Sequence, residues 1–329
     1  MRGLRLVARS LLPFLVALPL LVFLQRGTEQ AIAIILVNVG VNVILAVSLN
    51  VVNGFTGQFS IGHAGFMAVG AYTAAKITSA LADQQIAYLA PALSDQIIFA
   101  GALAAGMGLA AVAGLVVGIP SLRLRGDYLA IVTLGFNEII RVVIENSPFL
   151  GAATGISGLP LRTDLVWVGM GVVATVVMAR RLIGSTHGRA LLAIREDEVA
   201  AEAMGVDTTG YKVRAFVIAA AFAGLAGALL VHRIQLCTPR TFTFVKSIEV
   251  VVMVVLGGMG SVTGSVIAAA VLTVGLELLR EAEQYRMVAY SMLLIVLMLT
   301  RPTGLFGTRE IWEWLPRLPG RGRPEGGAQ

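Results

Sequence analysis

The sequence predicts an all-α polytopic membrane protein with about eight to ten transmembrane or re-entrant helices. Of its 329 residues, 57% are apolar, a further 37 are glycine, and only 13% are charged, whereas soluble domains carry about 25% charged residues. The mean hydropathy is +0.84. The apolar residues form long unbroken runs rather than the short alternating segments of an outer-membrane barrel. These observations exclude a soluble globular domain, a disordered chain and a disulfide-stabilised scaffold.

The basic residues indicate how the chain is oriented. The formal net charge is +6, and the basic residues lie in short connections between apolar runs, which is typical of cytoplasmic loops rather than of a nucleic-acid-binding surface. We therefore expect residues 1–10 to be a cytoplasmic N-terminus, residues 11–307 a transmembrane domain, and residues 308–329 a cytoplasmic tail. That tail is rich in proline, glycine and arginine, a composition typical of disorder.

The apolar runs predict the membrane segments in order. The connection 82–96 has no lysine or arginine and is predicted to lie outside. The connection 232–247 is also predicted outside, although Arg233, Arg240 and Lys246 fit that side badly. The predicted segments are 11–24, 31–52, a segment ending near 81, 97–119, 128–145, 165–179, 215–231, 248–279 and 287–300.

The run 248–279 is too long to be one membrane helix. Its 32 residues would form a helix of about 48 Å, whereas the hydrocarbon core is about 30 Å thick. The sequence GGMGSVTG occupies its middle, and glycine is unfavourable inside a helix. We therefore predict two shorter helices with a break between them, which also returns the arginine-rich tail to the cytoplasmic side.

Another glycine-rich stretch, 53–66, follows the apolar run 31–52. Irregular backbone at membrane depth is tolerated where it is buried in protein or lines a cavity. Gly57, Gln58, Ser60 and His63 are therefore candidates for a translocation path. The alternative is tight helix packing without substrate contact.

Two polar groups lie within predicted spans. Asn38, Asn42 and Asn53 fall on one helical face at 100° per residue, and such a stripe either lines a path or supplies hydrogen bonds between helices. Glu138 and Arg141 are three residues apart on one face and can pair. That pair is either a substrate or proton site or a structural ion pair.

The most polar internal segment, 180–214, carries six basic residues and is predicted to be cytoplasmic. Apolar positions at helical spacing predict one amphipathic helix over 190–203, ended by Gly205, with Asp207 beginning the next helix. Such a helix is either a lever for a partner protein or an interfacial helix on lipid. The adjacent acidic residues Glu196, Asp197 and Glu198 favour the partner, because anionic headgroups repel them.

The segment GRALLAIREDEVAAEAMGVDTTGYKVRAF resembles the signature loop of M-type permease subunits of the branched-chain amino-acid ABC importer family. Four further stretches resemble that family in the same order. They are LNVVNGFTGQFSIGHAGFMAVGAYTAA, GDYLAIVTLGFNEIIRVVIEN, VVMVVLGGMGSVTGSVIAA and RPTGLFG.

The resemblance implies a permease of the bacterial cytoplasmic (inner) membrane, with a fold similar to vitamin B12-type importer permeases. It implies four kinds of partner: a homologous H-type permease, two cytoplasmic ATP-binding subunits, a periplasmic substrate-binding protein and the lipid bilayer. The substrate would be a branched-chain or related hydrophobic amino acid. The loop 188–205 would contact the ATPase through Gly188, Arg189, Arg195, Glu196, Asp197, Glu198, Ala201 and Gly205.

Other sequence features limit the chemistry of the chain itself. It has one cysteine, three scattered histidines and no GK[ST] phosphate loop, so we expect no metal or cofactor, and ATP hydrolysis in partner subunits rather than in this chain. The alternative function is an ion-coupled secondary transporter that acts without ATPase subunits, suggested by the broken helices and Glu138.

Overall fold

The computed structural model of the chain describes residues 13–14, 17–25, 27, 29–81, 91–122 and 128–279, with five single positions between 292 and 307. The expected segments 1–10 and 308–329 lie outside these residues, as does almost all of the expected span 287–300. Residues 17–25 are helical. From residue 30 onward the described helices are α1 Gln30–Asn53, α2 His63–Ala80, α3 Pro91–Ser121, α4 Tyr128–Glu145, α5 Leu165–Ile183, α6 Thr186–Glu196, α7 Glu198–Ala203, α8 Thr208–Ile234, α9 Phe244–Gly257 and α10 Val262–Leu278.

Four of the described helices, α1, α3, α5 and α8, are long and apolar enough to cross a membrane. This confirms the predicted all-α polytopic class. Many apolar side chains of α3 and α4 are exposed on the outer surface, among them Val112, Val116 and Val143, and an apolar surface of this kind suits contact with lipid or with another membrane subunit.

One helix start differs from the prediction and another confirms it. Helix α3 begins at Pro91, inside the expected loop 82–96, because proline is favourable in the first turn of a helix and apolar residues continue the pattern. Helix α8 begins at Thr208, before the apolar run 215–231, and confirms the predicted cap, because Asp207 Oδ1 accepts a hydrogen bond from Gly210 N at 3.0 Å.

Helix α8 lies at the centre of the molecule and packs against α1, α2 and α3. Glycines allow the backbones of α2 and α8 to approach closely. A Cβ atom added at Gly70 would lie 2.2 Å from Gly224 Cα, and one added at Gly227 would lie 2.0 Å from Met67 O. Small residues at helix interfaces are the usual means of association in membranes, where there is no hydrophobic drive between helices.

The predicted interruption of 248–279 is confirmed. Helices α9 and α10 pack against each other, and residues 258–261, here the second break, separate them. Gly258 and Gly260 have φ of +108° and +94°, values that glycine adopts without strain. With 14 residues, α9 is about 21 Å long and too short to cross the membrane alone.

The connection between α4 and α5 meets the connection between α8 and α9. It contains two 3-10 turns, Pro148–Leu150 and Ala152–Thr154, and a short strand β1, Ile156–Ser157, which pairs antiparallel with β2, Leu236–Cys237. The turn Pro239–Phe242 follows β2. Lys246, expected in an outer loop, lies instead on α9, which removes one of the three basic residues that fitted that loop badly.

Candidate functional site

Helices α6 and α7 form the loop that the sequence predicted as one helix over 190–203. The single-helix prediction is wrong, because Asp197 has an extended backbone (φ −157°, ψ 107°) and ends α6. Its carboxylate Oδ1 accepts a hydrogen bond from Ala200 N at 3.0 Å and so begins α7. An aspartate that caps a following helix competes with continuation of the preceding one.

The apolar residues of this loop face two different ways. Leu191 and Ile194 on α6 are buried in the protein, whereas Val199 is 63% and Met204 84% exposed. Exposed apolar side chains on a short helix beside buried ones are suited to insertion into a partner's groove. The part of the predicted ridge available to a partner is therefore α7 and its C-terminal end.

The predicted ATPase-contact residues fall into three groups. Arg195 and Glu198 are half-buried, and Gly188 and Ala201 are buried. Glu198 Oε2 pairs with Lys212 Nζ of α8 at 2.5 Å, and the Lys212 side chain is only 3% exposed. Glu198 therefore attaches α7 to α8. The exposed members are Arg189, Glu196, Asp197 and Gly205.

Arg195 connects α6 to residues 54–62, the irregular segment between α1 and α2 that we call the first break. Arg195 Nη1 donates a hydrogen bond to Gly54 O at 3.3 Å. A Cβ atom at Gly57, whose φ is +71°, would lie 2.9 Å from Arg195 Cγ. The loop predicted to meet an ATPase thus lies directly against the glycine-rich segment.

The two breaks also meet each other. Asn50 Oδ1 accepts a hydrogen bond from Gly260 N at 2.9 Å, and Asn50 Nδ2 donates to Ser261 O at 2.9 Å. Asn50 is fully buried. One side chain at the end of α1 therefore satisfies both a backbone donor and a backbone acceptor that the second break leaves free.

Most of the polar residues in and beside the first break are hydrogen-bonded to other protein groups. Asn53 Oδ1 accepts from Ser60 N at 3.1 Å, and His63 Nε2 lies 2.9 Å from Ser48 Oγ. Gln58 Oε1 is buried with no hydrogen-bond partner among the described residues. These contacts fit the packing alternative for Asn53, Ser60 and His63 better than a path-lining role. Gln58 differs, because a buried acceptor without a partner is rare.

Asn38 and Asn42 occupy a different place, on the wall of a cavity of about 210 Å³ between α1, α9 and α10. Asn42 Nδ2 donates to Thr273 Oγ1 at 2.8 Å, and Lys246 Nζ donates to Asn42 Oδ1 at 3.0 Å. Asn53, predicted on the same face, is instead turned towards Ser60. Sequence reasoning missed Lys246 and Glu249, two charges three residues apart in an apolar run, a pattern that was visible in the sequence.

Glu138 and Arg141 form an ion pair, with Arg141 Nε 2.8 Å from Glu138 Oε2. Arg141 also binds Glu145 Oε2 at 2.8 Å, so one arginine links two carboxylates along the last turns of α4. The three side chains are 28–40% exposed. The predicted pairing of Glu138 with Arg141 is confirmed, and its structural role stays a prediction. No group of three metal-ligating side chains occurs within the described residues.

Comparison with known proteins identifies relatives along most of the chain. A family model described as branched-chain amino acid transport system / permease component matches residues 31–300. The high-affinity branched-chain amino acid transport system permease protein LivM of Escherichia coli K12 is 35% identical over 331 residues, which cover 90% of this chain and 73% of the relative. LivM of Salmonella typhimurium is 34% identical, over 92% of this chain and 74% of the relative.

The high-affinity branched-chain amino acid transport system permease protein LivH of Salmonella typhimurium is also similar, with 26% identity over 82% of this chain and 92% of its own length. No solved structure matches the chain. The likeness to vitamin B12-type permeases therefore stays a prediction.

Proposed function

The chain belongs to the permease family of branched-chain amino acid transport systems, and we propose that it is the M-type permease subunit of an ATP-driven importer. Its substrate is a branched-chain or related hydrophobic amino acid. Relatives named for branched-chain amino acid transport support the substrate class, and the family and the apolar helices support the permease role.

The chain works as one member of an assembly in the cytoplasmic membrane of a bacterium. A homologous H-type permease forms the translocation path with it, two ATP-binding subunits lie on the cytoplasmic side, and a periplasmic binding protein delivers substrate. The similarity of this chain to LivH as well as to LivM supports a pair of related permeases. In this arrangement α6, α7 and both termini are cytoplasmic.

Coupling to ATP hydrolysis runs through residues 188–205. The observation that carries this proposal is the position of the α6–α7 loop, which exposes Val199 and Met204 on one side and places Arg195 against the first break on the other. When an ATPase subunit bound to α7 moves, α6 moves with it, and Arg195 transmits that movement to Gly54 and Gly57. The first break in turn contacts the second through Asn50.

The test is affinity purification of the tagged chain from its native membrane, with identification of the proteins that accompany it. We choose Val199→Asp together with Met204→Asp, because these side chains are exposed, whereas a change at Glu198 would also break its pair with Lys212. A carboxylate in an apolar groove costs several kcal/mol unless it is paired. We expect the amount of ATPase that co-purifies with the tagged chain to fall at least about tenfold.

Leu161→Asp is the matched control. Leu161 is 52% exposed in the connection before α5, and α5, about 28 Å long, separates that connection from α6. The control should retain both ATPases and the second permease. Purification of the natural chain without ATPases would contradict the importer proposal and favour a secondary transporter, and retention of the ATPases by the double variant would contradict the coupling role of α7.

A further inference from the structure

The cavity between α1, α9 and α10 places opposite charges beside an apolar wall. Lys246 Nζ lies 3.0 Å from Glu249 Oε2, and both side chains keep some exposure, 19% and 25%. Burying an ionisable side chain within the membrane costs free energy, so such residues usually face a water-filled cavity or one another. The remaining lining residues are Asn38, Val41, Asn42, Leu230, Thr273, Leu276 and Glu277.

The cavity lies beside the middle of α1, a position that suits a transport site. Asn42 is near the middle of the 24-residue α1, about 18 Å from its first residue. Helix α9 begins close to this point, since Lys246 is its third residue and reaches Asn42 at 3.0 Å. Transporters commonly bind substrate near the middle of the membrane, beside broken helices.

The hydrogen-bonding capacity of the cavity suits a zwitterion. An ammonium group has three donors, and Lys246 Nζ uses two of them on Asn42 Oδ1 and Glu249 Oε2, which leaves one for a ligand oxygen. Glu249 and the Asn38 amide oxygen can accept from a ligand ammonium. Lys246 and Glu249 compensate each other, and Glu277, the other charged lining residue, already takes part in another interaction. A ligand that carries both charges leaves the Lys246–Glu249 pair balanced, whereas a ligand with one charge adds an uncompensated charge beside it.

We propose that this cavity is a transient binding site for an aliphatic amino acid, with Lys246 taking its carboxylate, Glu249 its ammonium, and Val41, Leu230 and Leu276 its side chain. The inference rests on the proposed function, because it supposes that amino acids pass along this subunit. At about 210 Å³ the cavity is well above the roughly 10–15 Å³ needed for one water.

The first experiment uses the assembled importer, reconstituted without its binding protein, and a chain carrying Asn38→Cys. The natural Cys237 is fully buried, so within this chain a cationic methanethiosulfonate reagent should modify only the new thiol. We expect leucine at ten times its half-protecting concentration to slow this modification about tenfold. Isopentylamine and 4-methylpentanoate, which each lack one charged group, should protect much less.

Leu161→Cys is the control for a general effect of leucine, because Leu161 is 52% exposed in the connection before α5 and does not line the cavity. Its modification should not respond to leucine. Absence of any modification at Asn38→Cys would mean that the partner permease closes the cavity, and modification that leucine leaves unchanged would mean that the cavity does not bind it. Either result overturns the proposal.

The second experiment measures leucine uptake by complexes carrying Lys246→Met or Glu249→Gln. Loss of one charge-assisted hydrogen bond should lower uptake at limiting leucine at least about tenfold. Lys76→Met is the matched control, since Lys76 lies over the Phe149 ring, 4.3 Å from its centroid, and should keep uptake. Wild-type uptake by both cavity variants would overturn the proposal. If the natural chain does not purify with ATPases, the proposed function itself fails, which is a separate outcome.

Discussion

Asn50 joins two parts of the chain that are about 210 residues apart. Its amide oxygen and nitrogen bind Gly260 N and Ser261 O, both at 2.9 Å, in a fully buried position. A buried polar group that loses its partner costs more than an average hydrogen bond contributes. Removing the Asn50 amide would therefore break the hydrogen bonds that join α1 to the second break.

Asn50→Ala should lower the free energy of unfolding by about 2–4 kcal/mol, because two buried backbone groups lose their partners. The measurement is the thermal unfolding midpoint in nanodiscs, and Asn146→Ala, which removes an exposed hydrogen bond to Val142 O, should leave that midpoint almost unchanged. An equal midpoint for Asn50→Ala and the natural chain would contradict the assigned role.

Cys237 should be chemically inert in the folded protein. It is fully buried beside Tyr72, and burial raises the pKa of its thiol to about 12, whereas a free cysteine has a pKa of about 8.5. Because the thiolate is the reactive form, raising the pH from 7 to 9 should accelerate maleimide modification of the denatured chain and leave the folded chain unmodified. Rapid modification of the folded chain at pH 9 would contradict this burial.

Close approach of α2 and α8 depends on glycine at their contact. A methyl group at Gly70 would overlap the Gly224 backbone, so Gly70→Ala forces the two helices apart. We expect a strong loss of folded protein, measured by size-exclusion chromatography of a fluorescent fusion. Gly101→Ala is the control, because nothing lies within 4 Å of its added Cβ and alanine favours a helix by about 1 kcal/mol. Equal yields of the two variants would contradict the packing.

The contact between α6 and the first break should transmit coupling. Gly57→Ala adds a methyl group 2.9 Å from Arg195 Cγ and strains a backbone with φ +71°. Gly158→Ala imposes similar strain at φ +74° with nothing within 4 Å. Both variants should lose about 1–2 kcal/mol of stability, but only Gly57→Ala should lower the leucine transported per ATP hydrolysed. An equal transport ratio for both would contradict transmission through this contact.

The elements themselves were largely predictable from local sequence. GGMGSVTG predicted the second break, and Tyr128–Glu145 was predicted with the bounds that α4 has. The loop was predicted as one helix because Asp197 fits helical periodicity, and only its side-chain cap on Ala200 N decides for two helices. Periodicity describes a helix face, whereas capping depends on the backbone that one side chain happens to meet.

The relations between distant elements were not predictable from the sequence. The contacts of Arg195 with Gly54, Asn50 with Gly260, and Lys246 with Asn42 join residues 141, 210 and 204 positions apart. No local pattern fixes such pairs, because they follow from how α1, α6 and α9 pack. The resemblance to a family indicated the subunit's role but not these contacts.

At the scale of the whole molecule, a continuous series of contacts joins the α6–α7 loop to the second break. The exposed end of α7, Arg195 on α6, the first break and Asn50 at the second break follow one another. The α1–α9–α10 cavity lies further along α1 and α9. An ATP-driven permease requires a connection of this kind between the surface that meets the ATPase and the path of the substrate.

The most direct test of this account is leucine uptake into proteoliposomes that contain the chain with its partner permease, the ATP-binding subunits and the binding protein. We predict uptake that requires ATP and is lost with Val199→Asp and Met204→Asp, but not with Leu161→Asp. Uptake that continues without ATP and follows an imposed ion gradient would contradict the account and identify a secondary transporter.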